Sequence, residues 1–502
     1  MNKGKVILVS PPPDFDKEMY KRCGNSAKST PLGILLLASM LEKNGFACRV
    51  IDGQVCNCHS ELLNELSSNE VLCIGISVMS SQYKSAVEIS LLLKQKKISA
   101  SVIWGGFHPT IFPEKTISNS FVDFVVCGEG DKALLKLCHA IRDGGDFREV
   151  GNILYKDGEN IIRNSLEPLS DFNELPHLNW NLLGDVERYI KKENDLGEKA
   201  RSMEVITGLG CNFKCSFCHN AIFKKRHRMK EAIDIIDEMN SLHEKYGIDD
   251  YWLIDENFFA YRKRVDEFLE LLEQNKFKFR WATNLRANYV NSNYLDKNKL
   301  KRIAKLGGYY FGVGAESGSS VVLQKLRKGI STQNIITLAE WTKDIDLTIC
   351  YSFIAGIPGE SCNMTLETLR IIEKIKQINH RSFFIGPQVF RPYPGSPLYK
   401  EAVENGLKEP EDWNSADNFL ETLSRFKKID IETIPWHKEP HKFKYMMLSF
   451  FVLQIKSTSV RNVFKKIILK FFKFLSLIRL KMGFYTLFIE KPFLNFINKQ
   501  NT

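Results

Sequence analysis

Met203-Glu-Val-Ile-Thr207-Gly-Leu-Gly-Cys211-Asn-Phe-Lys-Cys215-Ser-Phe-Cys218-His219 runs from a β-rich segment into a glycine-flanked loop carrying three cysteines. Thiols spaced by three and two residues can fold around one metal centre. A cubane [4Fe–4S] cluster normally takes four protein thiolates. Here no fourth cysteine is nearby, so one iron would stay open, and an open position is what metal catalysis requires. Two other readings stand beside this one: a zinc site recruiting His219, and an electron-transfer cluster closed by Cys350 or Cys362.

Outward from this loop the chain alternates strand and helix patterns. Met203–Thr207, 250–254, 279–283, 309–313, 348–354 and 383–389 are β-rich, with helical patterns over 230–246, 262–274 and 365–377. Six strand–helix units in series predict a partial parallel (β/α)6 barrel, whose active site belongs at the C-terminal ends of the strands. The cysteine loop follows the first of them.

Residues 1–145 alternate in the same way. Strand patterns at 5–10, 47–52, 71–78, 101–104 and 121–127 are separated by helical ones at 31–44, 82–96 and 131–141. This predicts a Rossmann-like, doubly wound parallel sheet. A hairpin is expected over 152–164, turning at Asp157-Gly158, then a linker from Pro168 to Leu183. The α/β chain thus divides into an N-terminal domain (1–145), a hairpin and linker (146–195), the barrel (196–405) and a helical C-terminal region (406–502).

The net charge of +11 is local. Residues 441–502 hold ten Lys, two Arg and one Glu, which leaves 58 basic and 58 acidic side chains in the rest. A basic tail on a neutral body indicates a local anionic partner, and a specific nucleic-acid surface is not expected. Val460 to Lys481 has helical character. Val463, Phe464, Ile467, Phe471, Phe474, Leu475 and Ile478 share one face, with Lys465, Lys466, Lys470 and Lys473 on the other. Such a helix reads either as a peripheral contact with the inner membrane surface or as a helix packed on the barrel. The apolar run 445–455 is too short to span a bilayer. Twelve cysteines without a secretory signal imply a cytoplasmic, reducing setting. Cys56-Asn-Cys58-His59 is too sparse for a metal site, and Cys73, Cys127 and Cys138 read as buried small hydrophobes.

CxxxCxxC with an aromatic residue before the last cysteine resembles the signature of radical S-adenosylmethionine enzymes. Further segments resemble that family in order: Asp255-Glu-Asn-Phe258, Gly312-Val-Gly-Ala-Glu316-Ser-Gly-Ser319, Gly356-Ile-Pro-Gly-Glu360 and Arg391-Pro-Tyr-Pro-Gly-Ser-Pro-Leu-Tyr399. The resemblance implies that Cys211, Cys215 and Cys218 hold a [4Fe–4S] cluster whose open iron chelates S-adenosylmethionine. Reductive cleavage would then give a 5′-deoxyadenosyl radical that abstracts hydrogen from an unactivated carbon. Glu316 and Ser317 would hold the ribose and methionine portions. Phe217 and the segment Gly356 to Pro358 would contact the adenine.

The first domain resembles the cobalamin-binding domain fused to such enzymes, through Thr30-Pro31-Leu-Gly33, Gly75-Ile-Ser77, Trp104-Gly105-Gly106-Phe-His108-Pro109 and Val126-Cys-Gly128-Glu129-Gly130. Pro31, Gly33, Ser77, Gly105, Gly106, Gly128 and Glu129 would line the corrin. The Asp-x-His-x-x-Gly motif that supplies an axial histidine elsewhere is absent, and His108 is the nearest substitute, with a structural role the better expectation. The resemblance implies a cobalamin-dependent radical methyltransferase acting on carbon. The alternatives are a cobalamin-dependent radical cyclase or oxidative rearrangement enzyme, such as the anaerobic magnesium-protoporphyrin monomethyl ester cyclase, and a non-catalytic iron–sulfur redox protein. The expected partners are a small-molecule or lipid-like substrate and a reductant such as flavodoxin or ferredoxin. Asp412-Trp413 and Trp436-His437 are candidate substrate contacts.

Overall fold

The computed structural model describes residues 4–14, 30–68, 70–220, 226–409, 434–454 and 463–483. The chain divides into two compact units, Met1–Asn212 with Phe223–Asn284 and Arg302–Tyr310, and Phe213–Ile222 with Leu285–Lys301 and Phe311–Thr502.

The first unit opens with β1 (Lys5–Ser10), β2 (Ala47–Asp52), β3 (Val71–Ser77), β4 (Ser101–Gly105) and β5 (Phe124–Val126). All pair in parallel, and the hairpin β6 (Ile153–Asp157) and β7 (Asn160–Arg163) extends the sheet antiparallel from β5, in the order β2-β1-β3-β4-β5-β6-β7. Val6 to Ser10 are all buried, as expected of a parallel strand covered on both faces. Helices α1 (Leu32–Lys43), α2 (Cys58–Ser68), α3 (Tyr83–Gln95) and α4 (Asp131–Asp143) connect the strands. Helix α1 buries Ile34, Leu35, Ala38 and Leu41 on one face, and Gly45 follows it at φ +84°. The order β2-β1-β3 reverses direction between β1 and β3, and a ligand crevice belongs at that switch point, outside the carboxyl ends of the strands.

Two sequence expectations shift here. The strand expected over 121–127 shrinks to β5, because Asp123 turns back to β4. Its carboxylate accepts from the Val102 amide at 2.8 Å and its own amide donates to the Val102 carbonyl. The hairpin, expected beside the linker, is instead the edge of the first sheet, with Phe124 opposite Tyr155.

The second sheet holds β8 (Lys191–Glu193), β9 (Lys199–Ile206), β12 (Asp250–Ile254), β13 (Arg280–Asn284), β14 (Gly308–Glu316), β15 (Thr348–Ala355) and β16 (Phe383–Val389). The short pair β10 (Gly208–Leu209) and β11 (Arg228–Met229) stands apart. The strand order is β16-β15-β14-β13-β12-β9-β8, an open half-barrel. Strand β8 is an antiparallel edge on β9 that the sequence did not announce. Within the first unit, α5 (Ala232–Tyr246) and α6 (Arg262–Gln274) follow β9 and β12. Phe258, Phe268 and Trp281 form a buried aromatic knot with centroids 5.4–5.9 Å apart. Truncating one of them to Ala would cost about 3–5 kcal/mol. In the second unit, α7 (Cys362–Ile378) starts three residues earlier than its apolar pattern suggests, because the Ser361 hydroxyl caps it by accepting from the Met364 amide. Helices α8 (Pro440–Gln454) and α9 (Val463–Met482) are the last elements among the described residues.

Candidate functional site

In the first unit a cavity of about 260 Å³ lies at the expected switch point. Leu8 of β1, Gly75 to Ser77 of β3, Gly105 and Gly106 after β4 and Val126 of β5 form its floor. Gly33, Ile34 and Leu37 of α1, Gly128 to Asp131 and Leu134 also line it. Of the seven residues expected around a corrin, six line it. Pro31 does not, and instead starts α1 by accepting from the Leu35 amide at 3.0 Å.

The glycines give this cavity its shape. Gly106 has φ +98°, and a Cβ there would stand 3.1 Å from the Val78 backbone, so only glycine fits without strain. A Cβ on Gly33 or Gly128 would meet nothing within 4 Å and would project into open space. A broad flat ligand therefore finds backbone rather than side chains at the rim, and the donor-poor apolar floor suits a macrocycle.

Thr110, which the sequence did not single out, ties two rim loops together. Its hydroxyl donates to the Gly106 carbonyl at 2.7 Å and accepts from the Gly128 amide at 2.9 Å. His108 is 1% exposed, packs against Tyr83 and Phe112, and meets the Ser80 hydroxyl at 3.1 Å. Burial holds its pKa down to about 3. It is a neutral packing histidine and does not line the cavity. Cys58 is buried with its thiol pushed up to about 12, and Cys56 donates to the Asp52 carbonyl, so neither is poised as a metal ligand.

Leu209, two residues ahead of Cys211, also lines this cavity. The carboxylate of Glu129, on the cavity side, pairs with Arg228 of β11, the strand that returns from the cysteine loop to pair with β10. The root of the loop is fixed from below by a buried charge cluster. Asp255 accepts from His227 at 2.8 Å and from Arg264 at 3.0 Å, while Arg264 also donates to the Thr207 carbonyl at 2.9 Å. Burial alone would raise the Asp255 carboxyl, but the His227 hydrogen bond and the Arg264 charge outweigh it and hold it below the usual range.

In the second unit Cys215 is buried and Cys218 half-buried, and the Cys218 amide donates to the Cys215 carbonyl at 3.2 Å in a tight turn. Ser216 between them is clamped. Its amide donates to the Leu326 carbonyl, its hydroxyl to that of Lys325 at 2.8 Å, and its carbonyl accepts from the Leu398 amide. Arg286 stacks on Phe213 with its guanidinium 3.4 Å from the ring centroid. Cys215 and Cys218 here, and Cys211 in the first unit, form no disulfide. Among the described residues no three His, Cys, Asp or Glu side chains form a ready-made metal group. Three cysteines within eight residues of chain are the donor set an iron–sulfur cluster takes. Cys362 is buried at the start of α7 with its thiol pushed up to about 12, and Cys350 is buried within β15.

Glu316 ends β14 at φ +60°, a strained setting for a residue other than glycine. Its buried carboxylate meets Lys328 at 2.8 Å, and the same ammonium lies 5.7 Å from the centre of the Phe217 ring. Gly314 leaves the space for this pair, since a Cβ there would stand 2.3 Å from the Glu316 oxygen. Ser317 turns inward, its hydroxyl 2.9 Å from Thr368 and accepting from the Ser319 amide. Gly356 (φ +76°) and Pro358 lie in a buried turn held by Glu360, whose carboxylate accepts from the amides of Gly356 (2.7 Å) and Ile357 (3.1 Å). Trp436 closes the turn by donating to the Gly356 carbonyl at 2.7 Å, and His437 packs on Phe443. Both are internal rather than presented to a substrate; Asp412-Trp413 lies outside the described residues. Lys328, Thr110 and Ser216 carried no sequence signal, because each is a lone polar residue with a partner twelve or more residues away in the chain.

Residues 205–372 match the radical SAM superfamily and residues 26–137 the B12 binding domain. The chain is 28% identical over 437 residues to an uncharacterized methyltransferase of Pyrococcus horikoshii, covering 86% of this chain and 90% of that one. It is 23% identical over 370 residues to the anaerobic magnesium-protoporphyrin IX monomethyl ester cyclase of Synechocystis, covering 70% and 71%. The solved structure of the cobalamin-dependent S-adenosylmethionine radical enzyme OxsB, with aqua-cobalamin and S-adenosylmethionine bound, superposes with a TM-score of 0.68 at 16% identity. The match covers 95% of this chain and 72% of that one.

Proposed function

The chain is a radical S-adenosylmethionine enzyme with a cobalamin-binding domain, and on that premise we propose that it methylates an unactivated carbon of a small or lipid-like molecule. The observation that carries this reading is Leu209, which lines the glycine-rimmed cavity two residues before the first cysteine of the loop.

Cys211, Cys215 and Cys218 would hold the cluster, and Gly33, Ser77, Gly105, Gly106, Gly128 and Glu129 would border the corrin. When bound, the cluster with S-adenosylmethionine supplies the 5′-deoxyadenosyl radical for hydrogen abstraction, and cobalamin supplies the methyl group. The residues of the chain hold and shield. Lys328 neutralises Glu316 and fixes its carboxylate, which would take the ribose hydroxyls, while Ser317 anchors the end of β14 from inside. The buried turn at Gly356–Pro358 would offer backbone to the adenine, beside the Phe217 backbone. Leu8, Ile34, Leu37, Ile103, Leu134 and Leu209 keep water and rival hydrogen donors from the cavity floor. A flavodoxin- or ferredoxin-type reductant would deliver the electron. The likeness to the Synechocystis cyclase favours oxidative cyclisation as the second reading.

The test is anaerobic reductive cleavage of S-adenosylmethionine by the reconstituted chain. We expect 5′-deoxyadenosine and methionine in equal amounts, lost on Cys215→Ala. An intact, reduced cluster that yields neither would overturn the enzyme reading.

A further inference from the structure

Of the apolar face that the sequence periodicity suggests for α9, Leu475 packs inward, whereas Ile467, Phe471 and Phe474 are exposed. The seam against α8 is Leu469 and Phe472 on Val452, with Ile468 and Leu475 beside them, and Ser476 and Arg479 are buried along the same line. The opposite face stays open. Ile467 is 61% exposed, Phe471 55%, Phe474 62% and Met482 77%. Ile467, Phe471 and Phe474 recur every three or four positions, and the half-buried Ile478 carries the same stripe on to Met482. Large apolar side chains aligned in this way mark a contact surface rather than scattered exposure. The side chains of Val463, Phe464 and Lys465 lie outside the described residues.

The charge beside the stripe selects the partner. Lys470 and Lys481 are exposed and Lys466 is half-exposed along its flank, and neither α8 nor α9 contains an acidic residue. The 62 residues from His441 hold the whole net charge of the chain, ten Lys and two Arg against one Glu. No helix among the described residues is long and apolar enough to cross a membrane. An apolar stripe with aromatic residues, bordered by lysines and too polar to insert across, has the composition of a helix that lies in the headgroup region of an anionic bilayer.

We propose that α9 docks the enzyme on an anionic lipid surface through Ile467, Phe471, Phe474 and Met482, with Lys466, Lys470 and Lys481 facing the headgroups. The inference rests on the exposed face of this helix and stands independently of the reaction the enzyme catalyses. It is consistent with a hydrophobic substrate drawn from the same surface.

The experiment is flotation of the full-length chain with vesicles of phosphatidylcholine alone or mixed with phosphatidylglycerol, paired with light scattering to fix the oligomeric state. The expected result is binding to the anionic vesicles at least about tenfold above the neutral ones, declining with salt. Phe471→Glu with Phe474→Glu should abolish it at unchanged circular dichroism. Should that variant fold poorly, Lys466→Glu with Lys470→Glu gives the second reading and should cut binding to the level of neutral vesicles. Absence of binding by the monomeric wild-type chain would mean that the stripe is covered from within the chain and would overturn the proposal. So would binding that neither variant changes, or a wild-type dimer that Phe471→Glu dissociates.

Discussion

His227 Nε2 lies 2.8 Å from Asp255 Oδ1, and both side chains have no exposed surface. Around this contact the two ends of the cysteine loop are tied together. The His227 amide reaches the Asn212 side chain at 3.3 Å, and Arg264 bridges Asp255 to the Thr207 carbonyl. Asp255→Ala leaves the Arg264 guanidinium buried without its carboxylate, which costs about 3–5 kcal/mol. We predict that chemical denaturation shows this loss and that the variant incorporates less than half the iron of the wild type on reconstitution. Full iron content in the variant would show that the loop root needs no such clamp.

Gly33 is the cleanest probe of the cavity. It lies in α1, where a good helix former such as Leu is favoured over glycine by about 0.5–1 kcal/mol, and its Cβ would enter open space. Gly33→Leu should leave the melting temperature unchanged or slightly raised. It should also reduce the corrin retained after desalting at least about tenfold. Retention at the wild-type level would place the corrin elsewhere.

Glu360 makes stability depend on pH. Burial pushes its carboxyl up from 4.5 to about 7, against the lowering effect of the hydrogen bonds from Thr365, Ile357 and Gly356. Between those values the folded chain holds the proton that the unfolded chain has released. Its contribution to stability therefore falls as pH rises from 4.5 to 7 and is flat above, a difference of about 3 kcal/mol. Glu360→Gln can accept from both backbone amides through its one oxygen and meet the Thr365 hydroxyl through its NH2. The variant should be more stable than wild type at pH 8 and equal to it at pH 5, measured by denaturant titration at both.

Much of the scaffold was legible in the sequence because it depends on local pattern. The bounds of β1, β2, β12 and α6 follow from uninterrupted apolar runs or from one amphipathic face, and Asp157-Gly158 marked the hairpin turn. Six residues that line the first unit's cavity, Gly33, Ser77, Gly105, Gly106, Gly128 and Glu129, were legible too, since glycines at strand ends let backbone border a ligand crevice. What long-range pairing decides was not. Nothing near Ile153 says that β6 will pair with β5, nothing near Lys328 announces Glu316, and the α9 seam runs through Ser476 and Arg479, which no hydrophobicity pattern would choose.

Lys328 and Glu316 separate folding from cofactor binding. Each is less than a tenth exposed, so Glu316→Gln strands an ammonium and should cost about 3–5 kcal/mol. Adding Lys328→Met should restore most of that stability. Affinity for S-adenosylmethionine should stay at least about tenfold below wild type in both variants, by equilibrium dialysis of the reconstituted protein. Recovery of affinity in the double variant would assign Glu316 a purely structural role.

Methyl transfer by this radical enzyme is read most plainly from the products of the anaerobic holoenzyme. The chain reconstituted with iron, sulfide and cobalamin is reduced and given S-adenosylmethionine labelled on its methyl group. The expected products are both 5′-deoxyadenosine and S-adenosylhomocysteine, the first lost on Cys215→Ala and the second lost on Gly33→Leu. Formation of 5′-deoxyadenosine alone, with cobalamin bound and no S-adenosylhomocysteine, would contradict methyl transfer and leave cyclisation or rearrangement as the reaction.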